Sequence, residues 1–235
     1  MEFQAYASGS AGNLYTATEN GSTVLIECGL PIKKVRSALG FSLASIDFCL
    51  LTHAHNDHSR AVKDVMKAGV DVYTSQGTID ALGVTGHRVH AVQAGKQFQV
   101  GGWIVLPVPA QHDAPEPLAF LLVSPTGDRL LFATDTYYLR HTFKGLNIIA
   151  VECNYADDLL TPNAVIPEVV TRRLLTSHFS LANVKGFLGA NDLSAVREIW
   201  LLHLSDLHSD EARFAAEVED FTGIKTIIAE KGGTT

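Results

Sequence analysis

Residues 50–58 read LLTHAHNDH, an apolar stretch that runs directly into three histidines and an aspartate. In an extended segment side chains alternate from face to face, so His53 and His55 project the same way. Two imidazoles on one side can share one metal ion. The chain must then turn, which lets Asp57 and His58 reach a second ion beside the first. Imidazole together with carboxylate suits zinc, manganese or iron, and no cysteine stands nearby to make the site rich in thiolate. Solvated histidines in loops are common one at a time. Four ligand-type residues within six positions at the end of an apolar strand are not.

The rest of the chain reads as many strands with helices between them. Strands are expected near 2–7, 13–18 and 23–28, each partly β-branched or aromatic and ended by Gly or Asn. A helix is expected to start with Pro31 as its first residue and stop at Gly40. A short strand over Phe48–Thr52 precedes a helix from Ser59 to Ala68, closed by Gly69. Further strands fall near 71–74, 88–92, 103–108, 118–123, 129–133 and 147–151. Pro125-Thr126-Gly127-Asp128 is a turn between two of them. Helices near 164–175 and 181–190, a strand at 198–203, a helix at 209–220 and a strand at 224–228 complete the pattern. This order fits an α/β fold of two packed sheets with helices outside, an αββα sandwich. No linker divides the 235 residues, so one domain over 1–235 is expected.

Composition narrows the class further. The chain is 46% hydrophobic and 18% charged, which excludes a disordered protein. No apolar run approaches the roughly 20 residues that span a bilayer. The start, MEFQAYASGSAGN, has no basic segment followed by an apolar one, so no signal peptide is expected. Cys28, Cys49 and Cys153 are odd in number and widely spaced, and are expected as buried thiols in a reducing compartment. A cytoplasmic location without membrane partners follows as the expectation. The net charge of −7 argues against extended coating of DNA or RNA. It leaves a nuclease open, because bound dications reverse the local field.

His53-x-His55-x-Asp57-His58 resembles the HxHxDH signature of the metallo-β-lactamase superfamily. That resemblance implies an αββα fold of two mixed sheets flanked by helices, and further ligands in order. His112 in AQHDAPEP, Asp135 in FATDT and His203 in WLLHLSD each follow an apolar strand. It assigns His53, His55, His112 and Asp135 to one ion, and Asp57, His58, Asp135 and His203 to a second, with Asp135 bridging. One motif departs from the pattern: the family's LIDAG or LIDCG is here Leu25-Ile26-Glu27-Cys28-Gly29, and Glu27 is expected to support the site indirectly with altered geometry.

Finer motifs point to one branch. Ser8-Gly9-Ser10-Ala11-Gly12-Asn13 resembles the SGSxGN loop of nuclease-like members. With His112-Asp113, Thr134-Asp135-Thr136, Glu152-Cys153-Asn154, Ser177-His178-Phe179-Ser180 and Leu202-His203-Leu204-Ser205, nearly the whole chain is similar to the YycJ/WalJ-type DNA exonucleases, relatives of ribonuclease Z. The family's TDTG is here Thr134-Asp135-Thr136-Tyr137, and the asparagine pair after the last HLS gives way to residues around His208-Ser209. Both departures bear on substrate choice. The resemblance implies phosphodiester hydrolysis by a hydroxide held on two divalent ions, zinc or manganese. Asp57 would orient the nucleophile, and His178, backed by Glu152, would protonate the leaving oxygen. DNA is the leading substrate. A cyclic nucleotide, as for phage anti-Pycsar phosphodiesterases, is the alternative, and a non-catalytic binding module on the same fold is a weaker one. By analogy the resemblance implies a homodimer. His87, His90 and His141 lack a motif and are expected in loops or at the surface, as is His208. Arg172 and Arg173 are expected on a solvated helix face.

Overall fold

The computed structural model describes residues 1–160 and 175–232. The chain divides into two compact units. One comprises Met1–Pro109, Ala114–Arg129 and the chain from Glu230; the other comprises Ala110–Asp113 and Leu130–Ala229.

The first unit opens with three strands, β1 (Glu2–Ala7), β2 (Leu14–Glu19) and β3 (Ser22–Ile26). β2 and β3 pair antiparallel through Glu19 and Ser22. The two residues between them, Asn20 and Gly21, both take positive φ (50° and 82°). That is the turn whose twist matches the strands, and Asn-Gly favours it. Helix α1 (Ile32–Ala38) leads to β4 (Ile46–Leu50), α2 (Asn56–Ser59), α3 (Val62–Lys67), β5 (Asp71–Thr74), α4 (Gln76–Leu82) and β6 (Val89–Ala91). These strands form a six-stranded mixed sheet in sequence order. β1 to β3 are antiparallel, whereas β3 to β6 run parallel, with a helix at each crossover. Leu25, Cys49, Leu51, Val65 and Val72 lie at the centre of its core, fully buried. β7 (Phe98–Val100), β8 (Trp103–Pro109) and β9 (Leu118–Val123) pair antiparallel.

The second unit is built on β10 (Arg129–Ala133), β11 (Ile148–Glu152), β12 (Glu198–Leu202) and β13 (Thr226–Ile228), all parallel. β11 is buried along its whole length. An unbroken apolar run such as IIAV is what a strand covered on both faces needs. Ser180 caps α5 (Leu181–Gly189), its Oγ accepting from the Asn183 N–H at 3.1 Å. Asp210 caps α6 (Glu211–Thr222) in the same way, and Gly223, left-handed at φ 70°, ends it.

Several sequence expectations need correction. Pro31 is the N-cap of α1 rather than its first residue. The helix read from Ser59 to Ala68 is two helices broken at Arg60 and Ala61, and the first starts earlier, at Asn56. α4 and β7 were not foreseen. Ser75 caps α4 by accepting from the Thr78 N–H, and left-handed Gly83 ends it. Gly77 and Thr78 within that helix are poor helix formers, which hides it. β7 turns into β8 through Gly101 and Gly102, both at positive φ. His208 is buried rather than at the surface. The expected helix near 164–175 lies, but for its last residue, outside the described residues, as do Arg172 and Arg173. Cys28, Cys49 and Cys153 are buried free thiols, as expected.

Candidate metal centre

In the first unit, β4 delivers the chain to His53, and His55 caps α2, whose first turn carries Asp57 and His58. His53 Nε2 lies 3.1 Å from His55 Nδ1. Two nitrogens on one tetrahedral zinc ion at about 2.05 Å are roughly 3.3 Å apart, so this pair has the spacing of a shared ion. Thr52 Oγ1 lies 2.8 Å from His53 Nδ1 and fixes the ring with its other nitrogen presented to His55. His58 follows closely, its ring centroid 4.2 Å from that of His53 and its Nε2 3.4 Å from Asp57 Oδ2.

The support behind these residues comes from elsewhere in the unit. Glu27, fully buried, stands directly after β3 with a left-handed φ of 64°. One carboxylate oxygen accepts from the Thr52 N–H at 3.2 Å, and the other lies 3.5 Å from His58 Nδ1. Burial pushes the Glu27 carboxyl above its ordinary value, and His58 and Thr52 offset this only in part. The glutamate that departs from the family motif thus sits behind a candidate ligand. Asn13, also buried, donates from Nδ2 to the Asp57 carbonyl at 3.1 Å and lies 3.1 Å from His58 Nε2. Its Oδ1 accepts from the Gly9 N–H and the Tyr15 hydroxyl. Gly29 packs so tightly on this turn that a Cβ would fall 1.6 Å from the Asp57 carbonyl oxygen. Sequence reading missed Asn13 and Thr52 as supports. The SGSAGN loop was the available signal for Asn13.

The second unit gathers the remaining candidates. Asp135 and His203 stand after β10 and β12, both at positive φ (46° and 52°). Such backbone is uncommon for non-glycine residues and concentrates at functional sites. The two Asp135 oxygens face different imidazoles: Oδ2 lies 3.5 Å from His112 Nε2, and Oδ1 lies 3.4 Å from His203 Nδ1. A carboxylate with one oxygen toward each of two histidines has the arrangement of a bridging ligand. Asp135, Glu152, His178 and His203 offer donor atoms within 4.8 Å of one another. Within this cluster Asp135 and His203 fit a divalent cation by their chemistry, hard oxygen and borderline nitrogen donors.

Glu152 is the hub. Oε1 lies 2.5 Å from His178 Nδ1 and 3.1 Å from His203 Nδ1, while Oε2 accepts from the backbone N–H groups of Thr136 (3.0 Å) and Phe179 (3.2 Å). Four partners leave this buried carboxylate a holder of imidazoles rather than a ligand. Burial alone would raise its pKa, but the charge of His178 and the bonds from His178 and His203 outweigh it and hold Glu152 below the usual carboxylate range. His178 moves the opposite way. Burial disfavours its charge, yet Glu152 beside it lifts the imidazole above its ordinary value.

The other motif-free histidines stay apart from these clusters. His90 stacks on Tyr73 at 4.7 Å, and His141 is exposed.

A family model for the beta-lactamase superfamily domain matches residues 22–204. The chain belongs to that superfamily. Its fold is the α/β metallo-β-lactamase fold, two mixed sheets flanked by helices, shared with the metallo-β-lactamase fold protein YhfI of Bacillus subtilis. That similarity has a TM-score of 0.73 at 15% identity over 98% of this chain and 97% of that one. The exodeoxyribonuclease YycJ of Bacillus anthracis is 25% identical over 87% of this chain and 83% of its own length. The anti-Pycsar protein Apyc1 of Bacillus phage 010DV004 is 46% identical over 46 residues, 20% of this chain and 18% of its own. Superfamily membership and the His/Asp cluster together make the chain a metal-dependent hydrolase in kind. No helix among the described residues is long and apolar enough to cross a membrane.

Proposed function

We propose that this protein is a two-metal phosphodiesterase that degrades DNA from its ends, and that its two units act as one metallo-β-lactamase-fold domain over 1–235. In this reading His53, His55, His112 and Asp135 hold one ion, and Asp57, His58, Asp135 and His203 hold the other. Zinc and manganese both suit these donors. Ions held there would supply Lewis acidity, lowering the pKa of a water toward neutrality and drawing charge from the phosphate.

The protein's own groups do the rest. Asp57 orients the attacking water. His178 carries the proton that the departing oxygen needs, and Glu152 keeps that imidazole charged and turned to the site. The backbone N–H groups of Thr136 and Phe179 keep Glu152 in place. The observation that carries the reading is the 2.5 Å pair of Glu152 and His178, within one cluster with Asp135 and His203. Breaking a phosphodiester expels an alkoxide, and a charged imidazole at that place meets its need for a proton. Similarity to the YycJ exodeoxyribonuclease over most of both chains supports DNA as substrate. The match to Apyc1, short but higher in identity, favours a cyclic nucleotide as the second reading.

Digestion of an end-labelled linear duplex beside a covalently closed circle tests the proposal, with manganese supplied and an Asp57→Ala protein in parallel. Short nucleotides released from the linear DNA alone, and absent with the variant, are the expected result. An intact linear duplex together with hydrolysed cyclic mononucleotide would shift the function to the second reading.

A further inference from the structure

Residues 137–144, YYLRHTFK, begin two positions after Asp135, and no step above uses them. The segment forms neither helix nor strand. Leu139 and Phe143 are buried, and Phe143 meets Phe187 of α5 edge-on with ring centroids 6.4 Å apart. Between and around these anchors Tyr137, Tyr138, Arg140, His141 and Lys144 are exposed.

The backbone is tied down. The Tyr137 N–H donates to the Gln111 carbonyl at 3.2 Å, Thr136 Oγ1 donates to the Tyr138 carbonyl at 2.9 Å, and the Phe143 N–H donates to Asn191 Oδ1 at 2.6 Å. Tyr137 and Tyr138 are thus exposed residues, at 37% and 52%, on a backbone held by these bonds. A preorganised aromatic surface loses little entropy when a flat ligand settles on it. Charge is equally uneven. The chain carries −7 overall, yet no Asp or Glu stands between Asp135 and Glu152, where Arg140 and Lys144 do. Arg140 enters no ion pair among the described residues. Aromatic rings interleaved with cations are what a single strand of nucleic acid recognises, bases on rings and phosphates on cations.

We infer that Tyr137, Tyr138 and Arg140 form a strip that binds a single-stranded end of nucleic acid and leads it to Asp135. Consecutive Cα atoms lie about 3.8 Å apart, so both tyrosines stand within one or two nucleotides of the candidate metal cluster. The inference deepens the phosphodiesterase reading and rests on it for the identity of the ligand. An exposed aromatic pair that begins at the position of the family's glycine, Tyr137, would then select for bases near the scissile bond.

The test is binding without turnover. The full chain is titrated, in chelator, into a fluorescein-labelled oligothymidylate of about twelve nucleotides and into an abasic oligomer of equal length. The intact protein is expected to prefer the base-bearing strand about five-fold or more. Tyr137→Ala/Tyr138→Ala should abolish that preference, and Tyr138→Phe should keep it. Arg140→Ala should weaken both oligomers alike and lower the salt slope by about 0.7. Equal affinity for the two oligomers, no binding to either, or an undiminished preference in the double alanine variant would overturn the strip. Because nothing is cut here, the two ideas fail separately. Digestion without base preference removes the strip and leaves the phosphodiesterase. Base preference without digestion does the reverse.

Discussion

At the residue scale the proposed chemistry turns on a single hydrogen bond, 2.5 Å between His178 Nδ1 and the accepting Glu152 Oε1. If His178 is the acid, His178→Ala should lower turnover on DNA by about 10²–10⁴-fold while bound metal stays unchanged. Comparing kcat with metal content measured on the same preparation checks this, and a metal-loaded variant at full rate would remove the acid role. The raised pKa of His178 also fixes a sign. On that reading the charged imidazole is the active form, so the rate should fall as pH rises through the raised value. Glu152→Gln removes the charge that lifts it, so the alkaline fall should move to lower pH. A limb that stays put in a pH–rate profile of that variant would show that another group controls it. Much of this was legible in the sequence, because His53, His55, Asp57 and His58 are neighbours in the chain and a strand's alternation sorts them. Asn13 and Thr52 were not. Asn13 acts through a bond to Asp57 across 44 positions, and Thr52 through its hydroxyl on the neighbouring His53 and its N–H on Glu27, contacts that depend on the folded positions of His53, Asp57 and Glu27.

Among the elements, the turn of α2 is fixed by what lies against it. Gly29 donates its N–H to the Asn13 carbonyl at 2.9 Å, and Asn13 N–H donates to the Asp57 carbonyl at 2.8 Å, so three segments close on one backbone. A methyl group at Gly29 would collide with that carbonyl rather than with a movable side chain. Gly29→Ala should therefore cost about 3 kcal/mol or more in urea unfolding, with weaker metal retention, where a surface change costs under about 0.5. An unchanged unfolding midpoint would mean that the turn has room the structure does not show. Long apolar strands such as β9 and β10 were read to the residue from their hydrophobic runs and the Pro125–Asp128 turn between them. α4 and β7 escaped, although β6 and β13, each as short as β7, were expected near 88–92 and 224–228. The Gly101-Gly102 pair after β7 was the signal for its turn. The break in the expected 59–68 helix follows from Ala61, whose N–H donates to the Cys28 carbonyl instead of continuing the helical ladder.

For the whole molecule, fold and superfamily were legible from the order of candidate ligand segments at strand ends, whereas the substrate rests on the proposed reading of small departures such as Tyr137. The central claim is that the two proposed ligand sets serve a pair of divalent ions. The most direct test is the metal-to-protein ratio, by plasma mass spectrometry, of protein supplied with zinc and manganese and then gel-filtered. A ratio near two is predicted, falling in Asp135→Ala because that carboxylate serves both ions. A folded protein that retains no metal, or keeps its full ratio without Asp135, would contradict the account.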